Sequence, residues 1–190
     1  MKNVTLTICC IALAGFFTIG RAQTQEEMKK WMEYMTPSDV HKMMAKSDGE
    51  WSEEITMWMD PNAPAQTMHA TCFNKMILGG RYQESVHTGE FGGMPFEGRS
   101  ITGWDNARKI IFSTWIDNMG TGLTYMEGNW NPATQSIEMK GKMTDPMTGA
   151  VSDIREVLKF IDDNTQVMEQ YGMKDGKEYK SMEIKLTRKI

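Results

Sequence analysis

The side chains that could do chemistry in this sequence are few. They are His41, His69, His87, Cys72 and several adjacent acidic pairs. His69 and His87 fall in neighbouring β-type runs, and two such imidazoles could hold a haem iron or a two-histidine metal site. Zinc sites usually need three or four convergent ligands. The chain has no His-x-His, Cys-x-x-Cys or His-Glu-x-x-His, so neither metal nor cofactor is expected. His41, between Val40 and Lys42 on a short helical stretch, reads as a cap or packing residue. Cys72 lies in an alternating run and reads as a small buried apolar residue rather than a nucleophile. No Gly-x-Ser-x-Gly elbow occurs. Neighbours such as Glu53-Glu54 and Asp162-Asp163 point to opposite sides of a strand or turn, so neither forms an acid/base couple. The doublets Gly79-Gly80 and Gly92-Gly93 precede strand-like sequence, not the helix a phosphate cradle requires. They read as turns or bulges.

Large amphipathic side chains remain as the better candidates for binding. Trp51, Arg81, His87, Trp104, Trp115, Tyr125 and Arg155 lie on strand-like runs, next to turns or in mid-strand. In a barrel of about eight to ten strands such residues can line a cavity for one small ligand. Arg81 and Arg155 can answer a carboxylate or another anion. The 19 methionines suit an irregular core or an adaptable pocket equally well.

The elements that must position these residues follow from periodicity. Thr24 and Glu27 make a capping box, and Met28, Trp31, Met32 and Met35 recur at helical spacing. Thr36-Pro37 closes that helix and opens a second, whose apolar stripe is Val40, Met43 and Met44. Both helices are too short to stand alone and should dock on something larger. From Glu50 the period becomes two. Runs at Trp51–Met59, Thr67–Ile77, Arg81–Glu90, Gly98–Trp104, Lys109–Asp117, Gly122–Trp130, Ser136–Thr144, Val151–Ile161, Thr165–Met173 and Tyr179–Arg188 alternate with Gly, Asp-Asn, Asn-Pro or Asp-Pro corners. Asp175-Gly176 is a two-residue hairpin signal. The links are too short for parallel crossovers. The expected fold is therefore a mainly β, up-and-down antiparallel barrel of about ten strands, because closure removes two exposed edges. A β-sandwich is the rival.

The chain divides into a signal peptide at 1–22, a helical segment at 23–48 and a barrel domain at 49–190. A positive start, an apolar run from Val4 to Ile19 and the small-residue site Gly20-Arg21-Ala22 predict export to a periplasmic or extracellular space. Cleavage there takes the formal net charge from −4 to −6 and leaves Cys72 as the single cysteine. An internal disulfide is then impossible, and an acidic surface without a basic cluster argues against nucleic acid. No later run is long enough for a membrane span. A monomer or small homo-oligomer is expected.

The ordered landmarks are His41-Lys42, Gly49-Glu50-Trp51, Leu78-Gly79-Gly80-Arg81, Pro95-Phe96-Glu97-Gly98 and Gly103-Trp104-Asp105-Asn106. Trp115-Ile116-Asp117-Asn118, Glu127-Gly128, Asp145-Pro146-Met147-Thr148-Gly149, Met182-Glu183-Ile184 and Thr187-Arg188 complete the set. From about Pro37 to Arg188 the chain resembles the bacterial Domain of Unknown Function family 1579. That resemblance implies a calycin, or lipocalin-like, barrel that holds a small ligand, and it brings no catalytic residues. Trp104 stands where related sequences commonly carry Tyr. The expected function is an exported lipocalin-like barrel binding a small apolar or amphipathic molecule. The alternatives are a barrel-based isomerase, hydrolase or haem-dependent enzyme, and a structural or interaction module of the envelope.

Overall fold

A computed structural model describes residues 24–190, so the expected signal peptide lies outside the described residues. Two short helices, α1 (Gln25–Met35) and α2 (Asp39–Ala45), precede ten strands. The strands are β1 (Gly49–Met57), β2 (Gln66–Ile77), β3 (Tyr82–Phe91), β4 (Met94–Asp105) and β5 (Ile110–Asp117). They continue as β6 (Thr124–Asn131), β7 (Ser136–Thr144), β8 (Val151–Asp162), β9 (Thr165–Lys174) and β10 (Lys177–Arg188). Each strand pairs with its sequence neighbours, and β1 pairs with β10 to close an antiparallel up-and-down barrel.

The corners do what their residues dictate. Asp175 and Gly176 both take positive φ, at 52° and 74°, as a tight hairpin of this type demands. Gly92 and Gly93 do the same at 59° and 82°, so Phe91 already pairs with Met94. As a result β4 begins four residues before the expected Gly98. Beyond the end of β5, Asn118 continues the ladder: its Oδ1 accepts from Glu97 N–H at 3.0 Å and its Nδ2 donates to the Pro95 carbonyl at 2.9 Å.

Register settles which face of each strand looks inward. Trp51, Glu53 and Ile55 share one face of β1, and their partners Cys72, Ala70 and Met68 share that of β2. The same rows run through Gln83, Ser85 and His87 on β3, and through Ile154, Glu156 and Leu158 on β8. Two apolar clusters fill much of the lumen. One is built on Trp51, Ile55, Cys72, Ile184 and Leu186, the other on Ile111, Met126, Ile137, Met139 and Ile154. Gly128 lets β6 and β7 approach closely, because a Cβ there would stand 1.7 Å from the Glu138 carbonyl oxygen.

Helix α2 stoppers one end of the barrel. Val40 and Met43 pack on the second cluster and Met44 is buried. Gln83 Nε2 donates to the Met44 carbonyl at 2.8 Å, and Gln166 Nε2 donates to Ser47 Oγ at 2.8 Å. This helix starts at Asp39 with Ser38 as N-cap, not at Pro37, because Ser38 N–H is engaged by His41 Nδ1 at 2.9 Å. Helix α1 has the expected Thr24–Glu27 capping box but buries none of its residues. Its apolar stripe stays outside the core: Met28, Trp31 and Met32 are about half exposed. What ties α1 down is polar, since Asn106 Nδ2 donates to the carbonyls of Glu33, Tyr34 and Thr36. No described helix is long and apolar enough to cross a membrane.

Candidate functional site

The residues expected to bind a ligand separate into two places and one outlier. Arg81 and Tyr125 come together at an external cleft, which Trp104 also lines while standing on the inward row of β4 and packing on the second apolar cluster. Trp51, His87 and Trp115 lie in the lumen. Arg155 belongs to neither.

The cleft, of about 440 Å³, lies where the turn after α1 meets the outer wall of β3 to β6. Tyr82, Phe112 and Tyr125 supply outward-facing rings, and Trp104, Arg81 and His41 line it toward the stoppered end. Gly103 permits this arrangement, since a Cβ there would meet Phe112 Cζ at 2.5 Å and Tyr82 Cδ1 at 2.9 Å. The two rings therefore fold over the bare strand and meet edge to face at 6.2 Å. Phe112 also stacks on Tyr125 at 6.5 Å. The turn before β3 uses Gly79 and Gly80 at φ 69° and 80°. The missing side chain at Gly79 lets Arg81 fold back and donate to the Leu78 carbonyl at 3.1 Å.

Charge in the cleft is uneven. Arg108 makes a two-point pair with Glu127, at 2.7 and 2.8 Å, and Tyr125 donates to the same carboxylate at 2.6 Å. Arg108 first and Tyr125 second hold the Glu127 carboxyl below its ordinary range. Arg81, by contrast, has no acidic partner among the described residues. Burial, reinforced by the Arg81 charge, lowers the pKa of His41, which favours the neutral ring there. Asn106 Oδ1, in the cleft wall, is buried without a hydrogen-bond partner. An acceptor of that kind calls for a water or a ligand donor.

The lumen holds a second cluster. His87 Nδ1 lies 3.0 Å from Glu53 Oε1, and Glu53 is 2% exposed. On the other side of the ring, Nε2 is 3.6 Å from Cys72 Sγ, and that thiol donates to Asn74 Oδ1 at 3.1 Å. Trp115 covers the imidazole edge to face at 5.0 Å, a position open only because residue 98 is glycine. A Cys, His and Glu in line resemble an activated nucleophile, but burial and then the charge of Glu53 push the Cys72 pKa up. The thiolate such chemistry needs is absent at neutral pH. Glu156 faces the same lumen, and its carboxyl is pushed up to about 7 by desolvation, against the smaller opposing pull of His87.

The two-histidine pairing does not form. Cys72 and His87 share an inward row, so His69, three residues from Cys72, falls on the outer face opposite Glu54. Arg155 also points outward. It makes a two-point pair with Glu178, at 2.8 and 2.7 Å, and lies 3.9 Å over the Tyr171 ring. Periodicity alone offered a signal for the residues passed over. Glu53 interrupts the apolar alternation Trp51, Ile55, Met57, and Glu156 interrupts Ile154, Leu158, Phe160. A carboxylate on an apolar row is a buried carboxylate in waiting.

Among solved structures, the chain is similar to Rv2717c from M. tuberculosis, with 10% identity and a TM-score of 0.56 over 82% of this chain and all of that one. At that identity the likeness concerns the fold alone. No curated protein matches. A closed ten-stranded barrel and the ordered landmarks agree with one further finding, the match of residues 36–188 to a family profile described as a protein of unknown function, DUF1579. The chain belongs to that family.

Proposed function

We propose that this protein is an exported lipocalin-like binding module, and that its ligand is a small amphipathic molecule with an aromatic or aliphatic body and one anionic group. The observation that carries the reading is Arg81, a cation without an acidic partner, set at the edge of a 440 Å³ cleft walled by Trp104, Tyr82, Phe112 and Tyr125. That volume lies within the ordinary range of small-molecule pockets. Apolar faces take the body of the ligand, and a guanidinium takes a carboxylate or sulfonate with paired hydrogen bonds. Two apolar clusters pack inside the barrel, which supports reading the binding surface on the outer wall. Export rests on the charged, apolar and small-residue segments of the first 22 residues.

Titration with 8-anilinonaphthalene-1-sulfonate, followed by its emission, tests the binding claim. The native protein should bind one equivalent, and Arg81→Met should weaken binding about tenfold or more, as loss of a charge-assisted hydrogen bond implies. Arg155→Met removes the same charge on the far wall and should leave the affinity unchanged. Equal binding by the Arg81→Met and native proteins overturns the assignment. Expression with the leader intact, followed by N-terminal sequencing, should give a mature chain starting at Gln23. An unprocessed chain in the cytoplasmic fraction removes the export claim.

A further inference from the structure

The lumenal cluster invites a different question from the cleft. We infer that Cys72, His87 and Asn74, with Glu53 behind them, form a site for one borderline-soft divalent cation of the Zn²⁺ class. The first ground is spacing. Thiolate and imidazole ligands at about 2.3 and about 2.0 Å from a tetrahedral ion stand about 3.6 Å apart. Cys72 Sγ and His87 Nε2 are 3.6 Å apart.

A second and independent ground lies on the far side of the ring. Imidazoles that ligate metals almost always donate the other N–H to a carboxylate, which fixes the tautomer and the ring plane. His87 Nδ1 is 3.0 Å from Glu53 Oε1 and 3.2 Å from Oε2, leaving Nε2 free to coordinate. Burial of Glu53 on the inner wall of β1 restricts that orientation, and Trp115 packs edge to face against the ring. Asn74 Oδ1 is the third donor. At 3.1 Å from the sulfur it has to retreat by about half an ångström to share the ion.

Charge and enclosure are consistent with the assignment. Binding exchanges the Cys72 S–H proton for the metal and releases that proton to solvent. The resulting thiolate and the Glu53 carboxylate together match the 2+ charge. A metal ion overrides the elevation of the thiol pKa that burial imposes, because it deprotonates a coordinating thiol outright. The side chain of His87 is 15% exposed and Cys72 is 1% exposed, so an ion held between them would be largely enclosed. With three protein donors, the fourth position is left for water or for a donor atom of a guest, as in open zinc sites.

Cobalt is the probe of choice, since a thiolate–Co²⁺ bond gives a near-ultraviolet charge-transfer band. The chelator-treated full chain should bind one Co²⁺ with that band, and Zn²⁺ should abolish it by displacement. Cys72→Ser should lose the band. His87→Gln should weaken binding at least tenfold, and Glu53→Gln by about 10–100-fold through loss of the orienting carboxylate. His69→Ala, on the outer wall, should bind like the native protein. Absence of the thiolate band in the native protein overturns the site. So does a band of unchanged affinity in His87→Gln and Glu53→Gln, both of which remain informative if Cys72→Ser fails to fold.

Discussion

Trp51→Ala should destabilise the barrel by about 3–5 kcal/mol, the usual range for removing a buried large aromatic side chain. Trp51 is completely buried and anchors the first apolar cluster. Its loss acts twice. The indole Nε1 donates to the Ser47 carbonyl at 2.8 Å, which holds the turn between α2 and β1. The ring also carries the Arg188 guanidinium at 4.3 Å, and that guanidinium donates to the carbonyls of Lys46 and Asp48. One substitution thus opens a cavity and loosens both chain segments that close the stoppered end. For a domain of this size the melting temperature should fall by about 6–20 °C. A fall of less than 2 °C in a calorimetric scan would show that α2 and the β10 terminus hold without the indole. Trp51→Phe should recover most of the packing while leaving the Ser47 carbonyl unpaired.

Glu156→Gln should make the metal-free protein more stable at pH 8, by up to about 3 kcal/mol. The folded carboxyl titrates at about 7, above its ordinary value of 4.5, because desolvation opposes the charged form. Below pH 4.5 both folded and unfolded states carry the proton, and no penalty exists. As pH rises from 4.5 to 7 the unfolded chain loses its proton first, so stability falls through that window. Above pH 7 the full penalty stands, and 2.5 units at about 1.4 kcal/mol each set its ceiling. Glu156 is only half-buried, with its accessible surface turned to the lumen by register with Met139 and Gln170, so the observed gain should sit below that ceiling. Urea denaturation of both proteins at pH 5 and pH 8 checks the claim. The variant's advantage should appear in full at pH 8 and shrink to about a quarter of that at pH 5, where the unfolded carboxyl has already begun to ionise. An equal difference at both values would assign the effect to packing instead of charge.

In the lumen Glu53 and His87 satisfy each other at 3.0 Å, which makes their burial tolerable, whereas desolvation of Glu156 is only weakly offset by His87. Most cleft residues stand on the outer wall and on turns, with Trp104 reaching it from the inner row, whereas the Cys72 cluster is held wholly on the inner wall.

Much of this molecule was legible before any fold was known. Glycine doublets, Asp-Gly and Asp-Pro corners dictate tight antiparallel links whatever surrounds them, because backbone conformation at those residues is a local property. Ten period-two runs without room for crossovers then leave few options besides an up-and-down barrel. The Thr24–Glu27 capping box and the family landmarks were equally local. Strand parity was not, because runs such as Ile110-Ile111-Phe112 are apolar on both sides. Only closure, which sets Ile111 opposite Trp104 and Gly128 while Phe112 covers Gly103, assigned the faces. Parity in turn separated His69 from His87, sent Arg155 to an outer ion pair and brought Glu53 to His87 across 34 residues of sequence. The sequence by itself determined the corners, the strand count and the stock of reactive side chains. The tertiary structure decided which of them meet, since contact between distant strands depends on register around the whole barrel and on no short stretch of chain.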